Sequence, residues 1–202
     1  MKLIFKDKKY ILLLLLIPFI SIIMVIAFRN VYNPTNEEII DKLKDAKMYS
    51  CTVKYLVNND KGEYEEQSKL YYCKDKGMRI EFENDRVKIY KDGFISMNDR
   101  GYEYQIDENL DKVYPLAFMN SILSNNIVKI QEGSEEWGDA KYIEVEIELP
   151  FKNNHMNFAK LYINKNTKSP IVTKIYDMNN KEKMQIIYDD FKYLDKINDE
   201  LF

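Results

Sequence analysis

The chain has 202 residues, with 30 Lys and Arg against 33 Asp and Glu and a formal net charge of −3. Charges of both signs are interspersed and form no basic stripe, so no nucleic-acid partner is expected. Only 6 Gly and 5 Pro stand among many Lys, Asn, Ile, Tyr and Asp, a balance that suits long strands and excludes an extended disordered chain.

Lys2, Lys6, Lys8 and Lys9 lead into an apolar run over residues 10–28, broken only by Pro18 and Ser21 and closed by Arg29. A helix that spans a bilayer needs about 20 apolar residues, which this run supplies. The lysine excess on its N-terminal side predicts a cytoplasmic start and an extracytoplasmic body. Residues 1–30 are therefore read as a membrane anchor or signal segment, and residues 31–202 as one extracytoplasmic domain. Two fates of the segment stay open. The length and Ile/Leu content of the run favour an uncleaved anchor, whereas Val25-Ile26-Ala27 would serve as a cleavage site. Lipid attachment just after the run is not expected, because the first cysteine is Cys51.

Thr35 and Glu38 have the spacing of a capping box, in which hydroxyl and carboxylate each take up an orphan amide. Ile39, Ile40, Leu43 and Ala46 follow near one face, so a helix is predicted over 36–47. The period then changes to two. Strands over 49–58 and 65–74 flank a turn at Asn59-Asp60-Lys61-Gly62. A turn centred near Gly62 would set Cys51 opposite Cys73, where cross-strand Cβ atoms lie about 4.5–5.5 Å apart. A disulfide between Cys51 and Cys73 and a pair of buried free thiols are both open.

Short strands over 78–83, 87–91, 94–98 and 102–106 make an antiparallel meander, with Asp92-Gly93 as a tight hairpin turn. Pro115, Leu116, Phe118, Met119, Ile122 and Leu123 have helical spacing and predict a largely buried helix over 114–125. Strands follow over 127–131, 141–148, 157–163, 171–177 and 183–192. The clearest is the stretch where Tyr142, Glu144, Glu146 and Glu148 alternate with Ile143, Val145, Ile147 and Leu149. The fold class is α+β: a large curved antiparallel sheet, one N-terminal helix, and a plug helix to cover the apolar face. Pattern alone does not separate a half-barrel from a sandwich.

Catalytic chemistry finds little material. The single histidine, His155, lies in a polar loop with no ligand spacing around it, so no metal and no cofactor are expected. No nucleophile elbow and no Gly-rich phosphate loop occur. Glu135-Glu136 and Asp189-Asp190 are adjacent pairs, whose members point to opposite faces of a strand and read as solvated charge. The 16 tyrosines suit strands, and they also make good binding surfaces.

Several pieces together resemble the LolA/LolB-like superfamily of lipid- and lipoprotein-handling proteins. They are Gly77-Met78-Arg79-Ile80-Glu81 before Asp92-Gly93, the Tyr114–Met119 stretch with its Pro115, and the turn Asn164-x-x-Thr167-x-x-Pro170. The ending Ile197-Asn198-Asp199-Glu200-Leu201-Phe202 completes the pattern, which covers residues 36–202. The anchored, Lys- and Tyr-rich form further resembles GerS-type germination proteins of spore-forming anaerobes. That resemblance implies a LolA-like half-barrel on the outer side of a spore membrane, at the forespore outer membrane or intermembrane space. It implies a CwlD-type zinc amidase as partner, which would carry the chemistry on cortex peptidoglycan, so that this chain is no enzyme. The departure is the missing lipid-attachment Cys, whose place the apolar run would take as tether. The lipoprotein carriers imply a second function, lipid or lipoprotein carriage or sensing. They also imply a role for Arg79, whose counterpart closes the apolar cavity by bonding to a loop; the plain alternative is a strand Arg facing solvent. A free strand edge leaves a homodimer by strand exchange open.

Overall fold

The computed structural model describes residues 16–27, 34–59, 62–133, 141–153 and 156–202, the side chains of 59 and 151–153 excepted. The chain divides into two compact units, Met1–Glu38 and Ile39–Phe202.

In the first unit, residues 16–27 are helical, and every one of them is exposed although nearly all are apolar. The lone hydroxyl of this stretch, Ser21, donates back to the Ile17 carbonyl at 2.9 Å, which spares it a solvent partner. Among the described residues no helix is long and apolar enough to cross a membrane. Residues 10–15 and 28 of the predicted span lie outside the described residues. The capping box forms as read: Thr35 N–H donates to Glu38 Oε2 at 2.8 Å and Glu38 N–H to Thr35 Oγ1 at 3.2 Å.

That box starts α1 (Asn36–Lys44), which ends about one turn before the predicted residue 47. Tyr49 explains the early stop. Its side chain is fully buried at the head of the first strand, so the chain must leave the helix to deliver it. Ile39, Ile40 and Leu43 of α1 are buried in the same core.

Eleven strands follow in one sheet: β1 (Met48–Asn59), β2 (Gly62–Cys73), β3 (Gly77–Phe82), β4 (Arg86–Lys91), β5 (Phe94–Asp99), β6 (Tyr102–Asp107), β7 (Asn126–Gly133), β8 (Tyr142–Asn153), β9 (Met156–Asn164), β10 (Ser169–Tyr176) and β11 (Glu182–Tyr193). Their spatial order is β6-β5-β4-β3-β2-β1-β11-β10-β9-β8-β7, with every pairing antiparallel. Two meanders thus spread from the central pair β1–β11. Strands β6 and β7 are consecutive in sequence yet form opposite edges, so the chain between them must cross the sheet.

The crossing segment is the plug. It consists of single 3₁₀ turns at Glu108–Leu110 and Tyr114–Ala117 and one α turn, α2 (Met119–Ile122), in place of the continuous helix predicted over 114–125. Pro115 opens the second 3₁₀ turn, and Phe118 breaks the run by taking an extended conformation, φ −88° and ψ 130°. That break drops the Phe118 ring into the core, where it is fully buried with Ala117, Met119, Ile122 and Leu123. Met119 N–H, left without a helical partner by the break, donates to the Tyr49 hydroxyl at 2.9 Å. Asp92 and Gly93 both have positive φ, as a tight hairpin turn requires. Gly77 is needed for space as well, because a Cβ there would sit 2.2 Å from the Tyr90 carbonyl oxygen.

Truncating Phe118 leaves a large hole between plug and sheet. Phe118→Ala is expected to lower the unfolding free energy of the full chain by about 3–5 kcal/mol, measured by denaturant titration.

Candidate functional site

The most elaborate side-chain arrangement lies at the seam between plug and sheet. Strand alternation turns Glu66 and Ser68 of β2, Phe82 of β3, and Arg86, Lys88 and Tyr90 of β4 toward the inner, covered face. Asp111 and Tyr114 reach them from the crossing segment. Glu66 accepts from Arg86 Nη2 at 2.5 Å on one oxygen and from the Tyr114 hydroxyl at 2.6 Å on the other. Asp111 Oδ2 accepts from Lys88 Nζ at 2.5 Å and the Tyr90 hydroxyl at 2.6 Å. Asp111 Oδ1 caps the start of the next turn, accepting from Val113 N–H at 3.2 Å and Tyr114 N–H at 3.3 Å.

Aromatic rings enclose these ion pairs. The Arg86 guanidinium lies 4.0 Å from the Phe82 ring centroid and Lys88 Nζ 4.1 Å from that of Tyr114. Tyr114 meets Tyr55 and Phe82 edge to face at 5.2 and 5.1 Å. Burial, reinforced by the adjacent carboxylates, pushes the Tyr90 and Tyr114 hydroxyls well above the usual tyrosine range. Both therefore stay protonated and remain donors. Every carboxylate oxygen of Glu66 and Asp111 accepts at least one hydrogen bond, and together these bonds fasten the plug to the sheet.

Beside this seam lies a cleft of about 390 Å³, lined by Met78, Tyr90, Asp111, Pro115, Leu116 and Pro150. Among the described residues no three His, Cys, Asp or Glu gather as a metal site.

The residues singled out in the sequence end up elsewhere. Arg79 pairs in register with Tyr71 and Ile89 on the outer face, because its neighbour Ile80 is the inward, fully buried residue of β3. Its Nε donates to Glu81 at 2.8 Å and Nη1 to the Leu201 carbonyl at 2.8 Å. It holds the C-terminal turn, with Lys76 pairing Asp199 beside it, and closes no cavity on the inner face.

Cys51 and Cys73 are not opposite one another. Asn59 pairs with Gly62, which centres the hairpin between residues 60 and 61 and sets Cys51 against Leu70 and Cys73 against Met48. The two sulfurs leave opposite faces of the sheet, and both are buried free thiols. Burial pushes the Cys51 thiol up to about 12. Asp189 and Asp190 are both exposed, while His155 and Glu135-Glu136 lie outside the described residues. Glu66 and Asp111 went unread. Counting back by twos from Tyr72 and Leu70 places Glu66 inward within the strand predicted over 65–74; nothing comparable marks Asp111.

The sequence matches the family described as sporulation protein YdcC-like over residues 8–202. The chain belongs to the YdcC-like sporulation family. No curated protein sequence matches this YdcC-like chain. Its structural neighbours include LolA-superfamily proteins. An uncharacterized conserved protein from Thermus thermophilus is 12% identical, with 82% of this chain and 91% of that chain covered and a TM-score of 0.54, and shares the fold. The LolA superfamily protein NE2245 from Nitrosomonas europaea is 11% identical, covering 83% of this chain and 97% of that one at a TM-score of 0.45. A chain from the structure of the Clostridioides difficile CwlD amidase in complex with the GerS lipoprotein is 18% identical, covering 79% and 96% at a TM-score of 0.45.

Two measurements check this geometry. Tyr114→Phe keeps the ring contacts and deletes only the donor to Glu66, so it is expected to cost about 1.5–3 kcal/mol of unfolding free energy. In thiol labelling without reductant, neither cysteine of the native chain should react at pH 8, and both should react after denaturation.

Proposed function

We propose that this YdcC-like chain is a non-catalytic, membrane-tethered protein of sporulation that binds and supports a CwlD-type N-acetylmuramoyl-L-alanine amidase in cortex peptidoglycan modification. The match to the sporulation family across residues 8–202 carries this reading, since it takes in the apolar run and the sheet together. The anchored, Lys- and Tyr-rich form, which resembles GerS-type proteins, supplies the partner. The seam supports a binding role over a catalytic one, because the carboxylates of Glu66 and Asp111 are engaged in fastening the plug. In this reading residues 10–28 tether the sheet on the extracytoplasmic side, at the forespore outer membrane.

The cleft beside the seam favours a second reading, a LolA-like carrier or sensor of lipids or lipoproteins, because Met78, Pro115, Leu116 and Pro150 give it an apolar wall. One experiment separates the two. The full chain, captured from sporulating cells in mild detergent, is expected to bring an amidase with it, and a deletion strain is expected to lose muramic-δ-lactam from its cortex. Capture of lipid without amidase, with normal muramic-δ-lactam in the deletion strain, would sink the first reading and support the second.

A further inference from the structure

The two edges of the sheet are unlike. An edge strand presents a row of unpaired N–H and C=O groups, and proteins usually blunt it with Lys, Pro or a bulge. On β7 the register slips between Ile127 and Lys129, and Lys129 stands on the strand. On β6, Tyr102-Glu103-Tyr104-Gln105-Ile106-Asp107, there is no Lys, no Pro and no slip against β5. The apolar groups around it are unusually open: Tyr102 is 78% exposed, Tyr104 48% and Leu110 74%.

We infer that the free edge of β6 is a docking site for an extended, basic segment of a partner protein, which adds to the sheet as a further strand. The charge of the edge selects the occupant. Glu103 and Asp107 project on the outer face, exposed; Glu103 accepts from the Asn98 amide at 3.3 Å and Asp107 from Asn109 N–H at 2.8 Å. Among the described residues no Lys or Arg pairs with either. A trough of about 540 Å³ runs from β6 across the outer face, floored by Val87 and Ile89 and walled by Asn98, Glu103 and Gln105. A Lys or Arg on the added strand would stand beside Glu103, one strand spacing away, and bring its charge to that carboxylate. Arg79 lines the far end, three strands or about 14 Å from the edge, with its charge taken up by Glu81. Alternate residues of the same segment would meet Tyr104 and Ile106 on the inner face.

A second copy fits less well. Antiparallel pairing of two β6 strands centred on Gln105 would set Glu103 of one against Asp107 of the other, and like charges directly opposite are destabilising. The surface deepens the reading of the chain as a binding protein and rests on it. The probe is a synthetic peptide, so that failure here and failure of the amidase reading are told apart.

The test is fluorescence anisotropy of a labelled hexapeptide alternating Lys and Val, titrated with the full chain in detergent micelles. Binding is expected, weakened at least tenfold when alternate peptide amides are N-methylated, when the Lys are replaced by Glu, or in the Glu103→Lys chain. Hydrogen exchange at residues 102–107 should slow with the peptide bound. Equal binding by the N-methylated peptide, indifference to Glu103→Lys, or a dimer in sedimentation that excludes the peptide would each overturn the proposal.

Discussion

The fold depends on one connection. An open sheet of eleven strands has one apolar face to hide, and its edges β6 and β7 are neighbours in sequence and far apart in space. The segment that joins them runs over the apolar face, so the covalent link becomes the cover. Most of its apolar side chains are buried, and Asp111 and Tyr114 fasten it to the sheet. A broken string of single turns does this better than one straight helix. The break at Phe118 lets that ring descend, and the amide it frees finds a side-chain acceptor.

Much of this was legible from periodicity. Alternation in Tyr142–Leu149 and the Asp92-Gly93 turn are local signals, and local signals survive folding. The helix cap at Thr35 and Glu38 is local too, and it stood. What did not transfer were inferences across a gap. Placing the hairpin centre near Gly62 displaced the register, which moved Cys73 to the other face from Cys51. Arg79 lies on the outer face by the same parity, since one residue along β3 is the difference between the two faces of the sheet. The helix over 114–125 had the right apolar residues, and Pro115 was the visible warning that it would not be continuous.

The seam was invisible for a different reason. Glu66 and Asp111 are 45 residues apart in the chain and ordinary in composition. Only the crossing of the sheet brings their partners together. Ion pairs in such a place contribute less net stability than their distances suggest, because taking two charges out of water offsets the attraction. Their value is in position: a plug seated by geometry-demanding bonds sits in one place, where purely apolar packing would tolerate several.

The sheet's middle has a consequence in time. Strand β1 is made early and its neighbour β11 last, so the central ladder closes only when nearly the whole chain is available. Contacts of such long sequence separation slow folding. Until then the first meander would wait with one flank of β1 bare, a nascent chain in need of shelter. Synthesis, and any transport that accompanies it, must finish before this molecule acquires its backbone of support.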